Sequence, residues 1–338
     1  MADKLASRFS TGISVILCCY NSRTRLRPTL SHIGKQVVRN GFNWEIIVVD
    51  NNSTDQTADY AEQFFVEFEI ANFRVVHEPR PGLSHARECG VKYSQFNLIL
   101  FCDDDNWLNE DYLSIAANFM SQNPNVGIVG GMNEGVLEND TPDWWEREAR
   151  GYAVGEQSEI SGDITSRRFV WGAGMVIRKN ILDSLRSVGF QSMLSDRKGS
   201  MLSSGGDSEI CRWAILMGYR LWYLQELKLK HFIPKERLSE DYFERLTSGH
   251  REANRILQWY DFVIDRFTIS ERSKGMFSQF IGLIYALRAV IFRSEVRLAS
   301  AQLRIGLLME IHTVVFSILH VDSLLHKENL KSGFVGQQ

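Results

Sequence analysis

Asn97-Leu98-Ile99-Leu100-Phe101-Cys102 is a nearly continuous apolar run that stops at three consecutive carboxylates, Asp103, Asp104 and Asp105. A strand core excludes ionised carboxylates, so the acids must lie at the strand's C-terminal end. In an open α/β sheet that edge is where ligands bind. Three adjacent acids repel one another unless positive charge sits among them. A hard divalent cation carrying a diphosphate meets that need, because Mg²⁺-type ions take oxygen ligands and share them with phosphates. A solvated turn rich in Asp is the alternative.

The chain has 338 residues, 44% of them hydrophobic, enough for one large domain with an appendage or for two domains. Its formal net charge of -3 gives no global basic field, so nucleic acid is not an expected partner. The five cysteines, Cys18, Cys19, Cys89, Cys102 and Cys211, are odd in number, lie mostly in apolar runs and lack metal-ligand spacing. Buried free thiols in a reducing cytoplasm are the expectation. Residues 1–11 carry no apolar signal-peptide core, and no charge-free apolar stretch is long enough to span a bilayer.

Strand and helix alternate four times over the first 130 residues, the pattern of βαβ units with right-handed crossovers. Ile13–Cys19, Trp44–Val49, Phe73–His77, the run at Leu98 and Val126–Gly130 read as strands. Helices are predicted over Thr24–Val38, up to Phe65 with Ser53 or Thr54 as N-cap, from a Ser84 cap to Tyr93, and over Glu110–Met120. Residues 132–168 read as irregular structure or a lid. Phe169–Arg178 reads as a strand interrupted by Gly172 and Gly174. Ile210–Met217 reads as a helix, and Tyr219–Leu224 and Leu227–His231 as two strands. From Pro234 the chain reads helical.

Two strands end in acids, Val49-Asp50 and Cys102-Asp103, and in a doubly wound sheet both open on one edge. Asp50 stands where it can accept hydrogen bonds from a base or ribose, or cap a turn. Arg80 and Arg87, near the next strand end, can face phosphates or solvent. No GxxxxGK[ST] loop and no GxGxxG follows the first strand, so P-loop and dinucleotide readings fail on their own motifs. Gly205-Gly206 lets the backbone approach a substrate closely, and Asp207 follows at a helix N-terminus. Trp171-Gly172-Ala173 offers an aromatic floor for a sugar, or a core Trp; Trp144-Trp145 can touch acceptor as well.

These pieces, taken in order, resemble a family 2 glycosyltransferase of the GT-A fold, of the bacterial polysaccharide-biosynthesis type. They are Ser14–Ile16 with Tyr20-Asn21, Glu45–Asp55, Arg80–Arg87, the DxD-like Asp103–Asp105, and Gly205–Glu209 in place of an ED element. His231–Pro234 with Arg237-Leu238 resembles a further bacterial segment. The resemblance covers residues 12–232. It implies a Rossmann-like, mainly parallel sheet with helices on both faces, and a catalytic domain over residues 1–265.

The implied roles can be assigned residue by residue. Cys19, Tyr20, Asn21, Asp50 and Asn52 would hold base and ribose, and Arg80, Gly82, Ser84 and Arg87 would line the nucleotide wall. Asp103 and Asp104 would also face the nucleotide, Asp104 being the variable middle position. Asp103, Asp105 and His231 would hold Mn²⁺ or Mg²⁺. Trp171, Gly172 and Ala173 would meet the acceptor. Asp207 would be the catalytic base of an inverting displacement, with Glu209 as the alternative because Gly206 replaces the usual preceding acid. The donor would be a nucleotide-sugar, UDP-linked by expectation, and the acceptor a glycan or a polyprenyl-diphosphate-linked glycan. A nucleotidyltransferase on a related fold and a non-catalytic sugar- or nucleotide-binding subunit are the rival readings.

Residues 266–338 read as a C-terminal helical extension. Met276–Phe292 is largely apolar, and Arg288, Arg293, Arg297 and Arg304 punctuate this run and the residues after it. An interfacial helix on the inner face of the plasma membrane and a hairpin that packs on the catalytic domain or a second subunit both suit that mixture.

Overall fold

In the computed structural model, residues 10–38, 42–187, 190, 192–194 and 205–267 are described. The chain divides into two units, Met1–Glu271 and Arg272–Gln338. The expected helices of residues 273–330 lie outside the described residues.

One sheet of nine strands organises the first unit. The strands are β1 (Ser10–Cys19), β2 (Asn43–Asp50), β3 (Phe73–His77), β4 (Phe96–Asp103), β5 (Asn106–Leu108), β6 (Val126–Leu137), β7 (Gly162–Asp163), β8 (Val176–Arg178) and β9 (Arg220–Ile233). Their order is β3-β2-β1-β4-β8-β6-β9-β5, with β7 paired to β9. β1, β2, β3 and β4 are mutually parallel; β8 runs antiparallel between β4 and β6. Helices α1 (Leu26–Gly34), α2 (Thr57–Glu67), α3 (Leu83–Tyr93), α4 (Tyr112–Gln122), α5 (Trp145–Glu148), α6 (Lys179–Ser187), α7 (Gly206–Leu216) and α8 (Glu240–Phe267) fill the connections.

The apolar runs of β1, β2 and β4 are explained by burial on both faces. Ile13, Val15 and Leu17 join Ile46, Val48, Leu98 and Leu100 in one cluster with α1, α2 and α4. Helix α1 contributes Leu26, Leu30 and Ile33, a stripe at helical spacing. On the other face Ile16 meets α3, where Gly90 lies against its side chain. A smaller cluster gathers Trp145, Tyr152, Val154, Ile233, Tyr242 and Leu246.

Several expected boundaries move. Helix α1 starts two residues later than Thr24 and stops at Gly34. Neither Ser53 nor Thr54 caps α2; its N-cap is Gln56, and the Asp55 carboxylate accepts the Thr57 amide instead. Ser84 lies inside α3, which starts after Gly82. The strand expected over Phe169–Arg178 is extended only from Val176, because Gly174 takes a left-handed φ of 74°. Strand β6 reaches Leu137 because it pairs with the full length of β9, which is one strand rather than two. That pairing removes much of the irregular stretch expected after Gly131.

Candidate active site

Parallel pairing puts the C-terminal ends of β1, β2 and β4 on one edge, with Cys18 opposite Asp103 and Cys19 opposite Asp50. A cavity of about 1330 Å³ opens there. From the N-terminal half it is lined by Cys19, Tyr20, Asn51, Gly82 and Arg87, and by all three acids of the β4–β5 loop. From later in the chain come Arg150, Arg167, Trp171–Ala173, Asp207, His231 and Arg237. Tyr242, Leu246, His250, Asn254 and Leu257 add one face of α8.

The three acids meet three different environments. Asp103 is the most open, its side chain 33% exposed and 4.0 Å from the Arg87 guanidinium. Asp104 turns into the protein: Ser22 donates to its carboxylate, Arg25 binds it at 2.7 Å, and Thr29 donates to its carbonyl. Burial and the charge of Asp105 push its carboxyl above the usual range, although Arg25 pulls the other way. Asp105 is 3% exposed and ion-paired to Arg237 at 2.8 Å. Burial alone would lower Arg237, but the Asp105 carboxylate holds it above its ordinary value. All three line the cavity, Asp103 openly and Asp104 and Asp105 each held by an arginine.

Register explains the position of His231. Strand β5 begins one residue after Asp105 and pairs antiparallel with β9, Asn106 opposite His231. This brings His231 Nε2 to 3.5 Å from the Asp105 carboxylate, 126 residues away in the chain by their numbers. Among the described residues no three His, Cys, Asp or Glu side chains gather into a complete metal shell, so Asp103 is not drawn in with this pair. The pair itself fits a divalent cation. Mg²⁺-type ions commonly bind through one or two carboxylates plus phosphate oxygens rather than in an all-protein cage. Nε2 is the nitrogen turned to Asp105, while Nδ1 is buried without a partner among the described residues.

Asp207 stands in the first turn of α7 and faces the cavity, where a helix N-terminus favours negative charge. A Cβ on Gly172 would lie 2.6 Å from its carboxylate oxygen and 3.0 Å from Arg87. Gly172 lines the cavity and leaves room for both charged groups. Glu209, the alternative base, is 0% exposed and does not line the cavity. It accepts from Ser192, the Met193 amide and the Tyr260 hydroxyl. A carboxylate so engaged is bound into the fold by its neighbours among the described residues.

Trp171 and Ala173 line the cavity as expected, but Trp171 is 8% exposed and the Arg167 guanidinium sits 4.9 Å from its ring. Trp144 and Trp145 do not line it. Trp145 is buried in the smaller cluster and Trp144 stacks on Phe243, since two adjacent indoles find more apolar contact there than in a wet cavity.

Of the expected nucleotide residues, Cys19, Tyr20, Gly82, Arg87, Asp103 and Asp104 line the cavity; Asn21, Asp50, Asn52, Arg80 and Ser84 do not. Asp50 accepts from the Ser53 amide and faces His77. Asn21 accepts from the Thr54 amide. Arg80 is paired with Glu78, whose carboxyl it holds down at about 2. Asn51, between Asp50 and Asn52, lines the cavity, and its amide braces Glu78, Arg80 and Gly82. Sequence reasoning missed the cavity arginines Arg25, Arg150 and Arg167. Arg25 meets Asp104 only through the fold, Arg167 packs on Phe169 and Trp171 without any charge pattern, and no periodicity marks them.

The chain is similar to known proteins. The family model described as "Glycosyl transferase family 2" matches residues 14–186, just over half of the chain. The chain is 32% identical over 101 residues to the putative glycosyltransferase EpsH of Bacillus subtilis, covering 30% of this chain and 28% of EpsH. It is 27% identical over 130 residues to WfgD of Escherichia coli, a UDP-Glc:alpha-D-GlcNAc-diphosphoundecaprenol beta-1,3-glucosyltransferase, covering 38% of this chain and 47% of WfgD. The chain thus matches less than half the length of either relative. Residues 1–349 of TarS from Staphylococcus aureus share the fold at a TM-score of 0.51 and 21% identity, over 66% of this chain and 60% of that one. TarS has also been solved with UDP-GlcNAc. The sheet, its ligand-binding edge and the matched family model together place this chain in glycosyl transferase family 2, with the GT-A fold.

Proposed function

We propose that the chain is a metal-dependent inverting glycosyltransferase. It would move a hexosyl group from a UDP-sugar to a carbohydrate or lipid-linked glycan in cell-surface polysaccharide synthesis. The observation that carries this reading is that Asp103, Asp105, His231 and Asp207 all line one cavity. Two acids and a histidine stand at the sheet edge where a diphosphate would lie, and a separate carboxylate stands where a hydroxyl would be activated. The solved UDP-GlcNAc complex of TarS and the printed activity of WfgD support a UDP-linked donor.

In this reading the residues divide the work. Tyr20 and Asn51 hold the nucleoside side of the donor, and Arg87, at the inner end of that wall, faces its phosphates. Asp105 and His231 would hold Mn²⁺ or Mg²⁺, with Asp103 beside them. Such an ion, when bound, neutralises charge on a leaving diphosphate. Asp207 takes the proton from the acceptor hydroxyl as that oxygen attacks the anomeric carbon from the side opposite the leaving group, which inverts the configuration. Gly172 keeps Asp207 and Arg87 apart but close, so that base and phosphate-facing cation flank the reacting carbon.

Titration of UDP into the full chain with and without Mn²⁺ tests the donor side. Tight binding that needs Mn²⁺ and is lost in Asp105→Asn is the expected result. UDP affinity that ignores both the ion and this substitution would remove the metal role. No UDP binding under any condition would remove the reading as a whole.

A further inference from the structure

The acids of the β4–β5 loop are matched by arginines, one for one. Arg87 stands 4.0 Å from Asp103, Arg25 binds Asp104 at 2.7 Å, and Arg237 binds Asp105 at 2.8 Å. These arginines come from three separate parts of the chain: α3, the N-cap of α1 and the turn after β9. Each carboxylate thus has a guanidinium beside it, and the formal charges of the six groups cancel.

The Asp105 side chain is the most deeply buried of the three acids. Burial cuts solvent screening, so a charge placed here interacts strongly with its neighbours. Both of its carboxylate oxygens are engaged. Asn106 Nδ2 donates to Oδ1 at 3.0 Å, with His231 Nε2 3.5 Å away, and Arg237 Nη1 donates to Oδ2 at 2.8 Å. The Tyr152 hydroxyl, from the smaller apolar cluster, donates to the Arg237 carbonyl at 3.0 Å and steadies the backbone from which the guanidinium reaches.

A dication that came alone to Asp105 would meet a carboxylate already balanced by a guanidinium. It would add two positive charges where no negative charge is left over. A nucleoside diphosphate changes that balance. Its own negative charge offsets the ion, and its oxygens offer Arg237 a replacement for the carboxylate. We propose that Arg237 holds Asp105 until a donor arrives, so that affinity for Mn²⁺ or Mg²⁺ is conditional on the nucleoside diphosphate. Arg237 is in this sense a positioning residue that acts through Asp105. This rests on the transferase reading above and adds the condition under which its metal site fills.

The test titrates Mn²⁺ into the full chain, with and without saturating UDP, and follows free Mn²⁺ by its paramagnetic resonance signal. Wild type should bind Mn²⁺ weakly alone and far more tightly with UDP. Arg237→Gln keeps a hydrogen-bonding group but removes the charge. It should bind Mn²⁺ alone about tenfold or more tighter than wild type, because a like charge has left a buried neighbour. The factor by which UDP tightens Mn²⁺ should shrink in this variant by about tenfold or more. Arg237→Lys keeps the charge and should stay close to wild type. Loss of a merely structural ion pair would not tighten the metal. Mn²⁺ affinity in Arg237→Gln equal to or below that of wild type overturns the proposal and leaves the transferase reading standing, provided wild type binds Mn²⁺ with UDP. Wild type that binds Mn²⁺ as tightly without UDP as with it overturns the proposal as well. Absence of Mn²⁺ binding in wild type even with UDP removes the metal role from the transferase reading, and this proposal with it. An Arg237→Gln chain that folds only with Mn²⁺ supports the proposal, since the ion then takes the arginine's place. One that folds neither with nor without Mn²⁺ makes the pair structural and overturns it.

Discussion

Asp207 and Glu209 are two residues apart on α7, which turns their side chains about 200° from one another. One looks into the cavity and the other into the core. Removing the basicity of Asp207 therefore acts on the reaction alone. Asp207→Asn should fold and bind UDP normally yet transfer sugar at least about a hundredfold more slowly, since general-base catalysis typically contributes 10²–10⁴. Glu209→Gln should instead lower the melting temperature, because it disturbs buried bonds to a charged group worth about 1.5–3 kcal/mol each. Transfer at the wild-type rate by Asp207→Asn would remove it as the base. The sequence put both acids in view but left the choice open. A helix N-terminus and a Gly-Gly lead-in are common to both residues, and only packing of Tyr260 and Ser192 onto Glu209 separates them. Asp50 shows the opposite limit. An acid at a strand end invites a ligand-binding role, but its local partner Ser53 and the neighbouring strand's His77 engage it first.

At the scale of elements, the parallel half of the sheet was legible because inner parallel strands are apolar without interruption. The other half was not, because its strands are short or read as broken pieces, and its two long strands begin about a hundred residues apart in the chain. The pairing of β6 with β9 is the clearest case. Both read as broken pieces in isolation, and each is completed by the other. Their register shifts between Gly130 and Met132, at the point where the backbones come closest. A Cβ on Gly131 would lie 1.8 Å from the Leu227 carbonyl oxygen, and backbone cannot step aside as a side chain can. Gly131→Ala should thus destabilise the protein by at least about 1–3 kcal/mol, the usual range for overpacking. Because β9 continues to His231, the same substitution should weaken Mn²⁺-dependent UDP binding, which Gly151→Ala, with open space around it, should not. Equal melting temperatures for Gly131→Ala and wild type would show that the strands can part without cost.

The whole chain poses a question of independence. Among the described residues, the unit Met1–Glu271 contains the sheet, both apolar clusters and the residues that line the cavity. Among the described residues no helix is long and apolar enough to cross a membrane. We propose that residues 272–338 bring the catalytic unit to an anionic membrane surface, on the strength of the apolar run Met276–Phe292 and the arginines that come after it. A chain ending at Glu271 should then keep the UDP affinity and the melting transition of the full protein. It should also stay in the supernatant when anionic vesicles are pelleted, while the full chain pellets with them and is released by salt, which screens lipid attraction. A full chain that ignores vesicles and sediments as a dimer, with a monomeric truncation, would turn the segment into a subunit contact. A truncation that precipitates on expression would show that the catalytic unit leans on these residues to fold, and would end the claim that its core is complete without them.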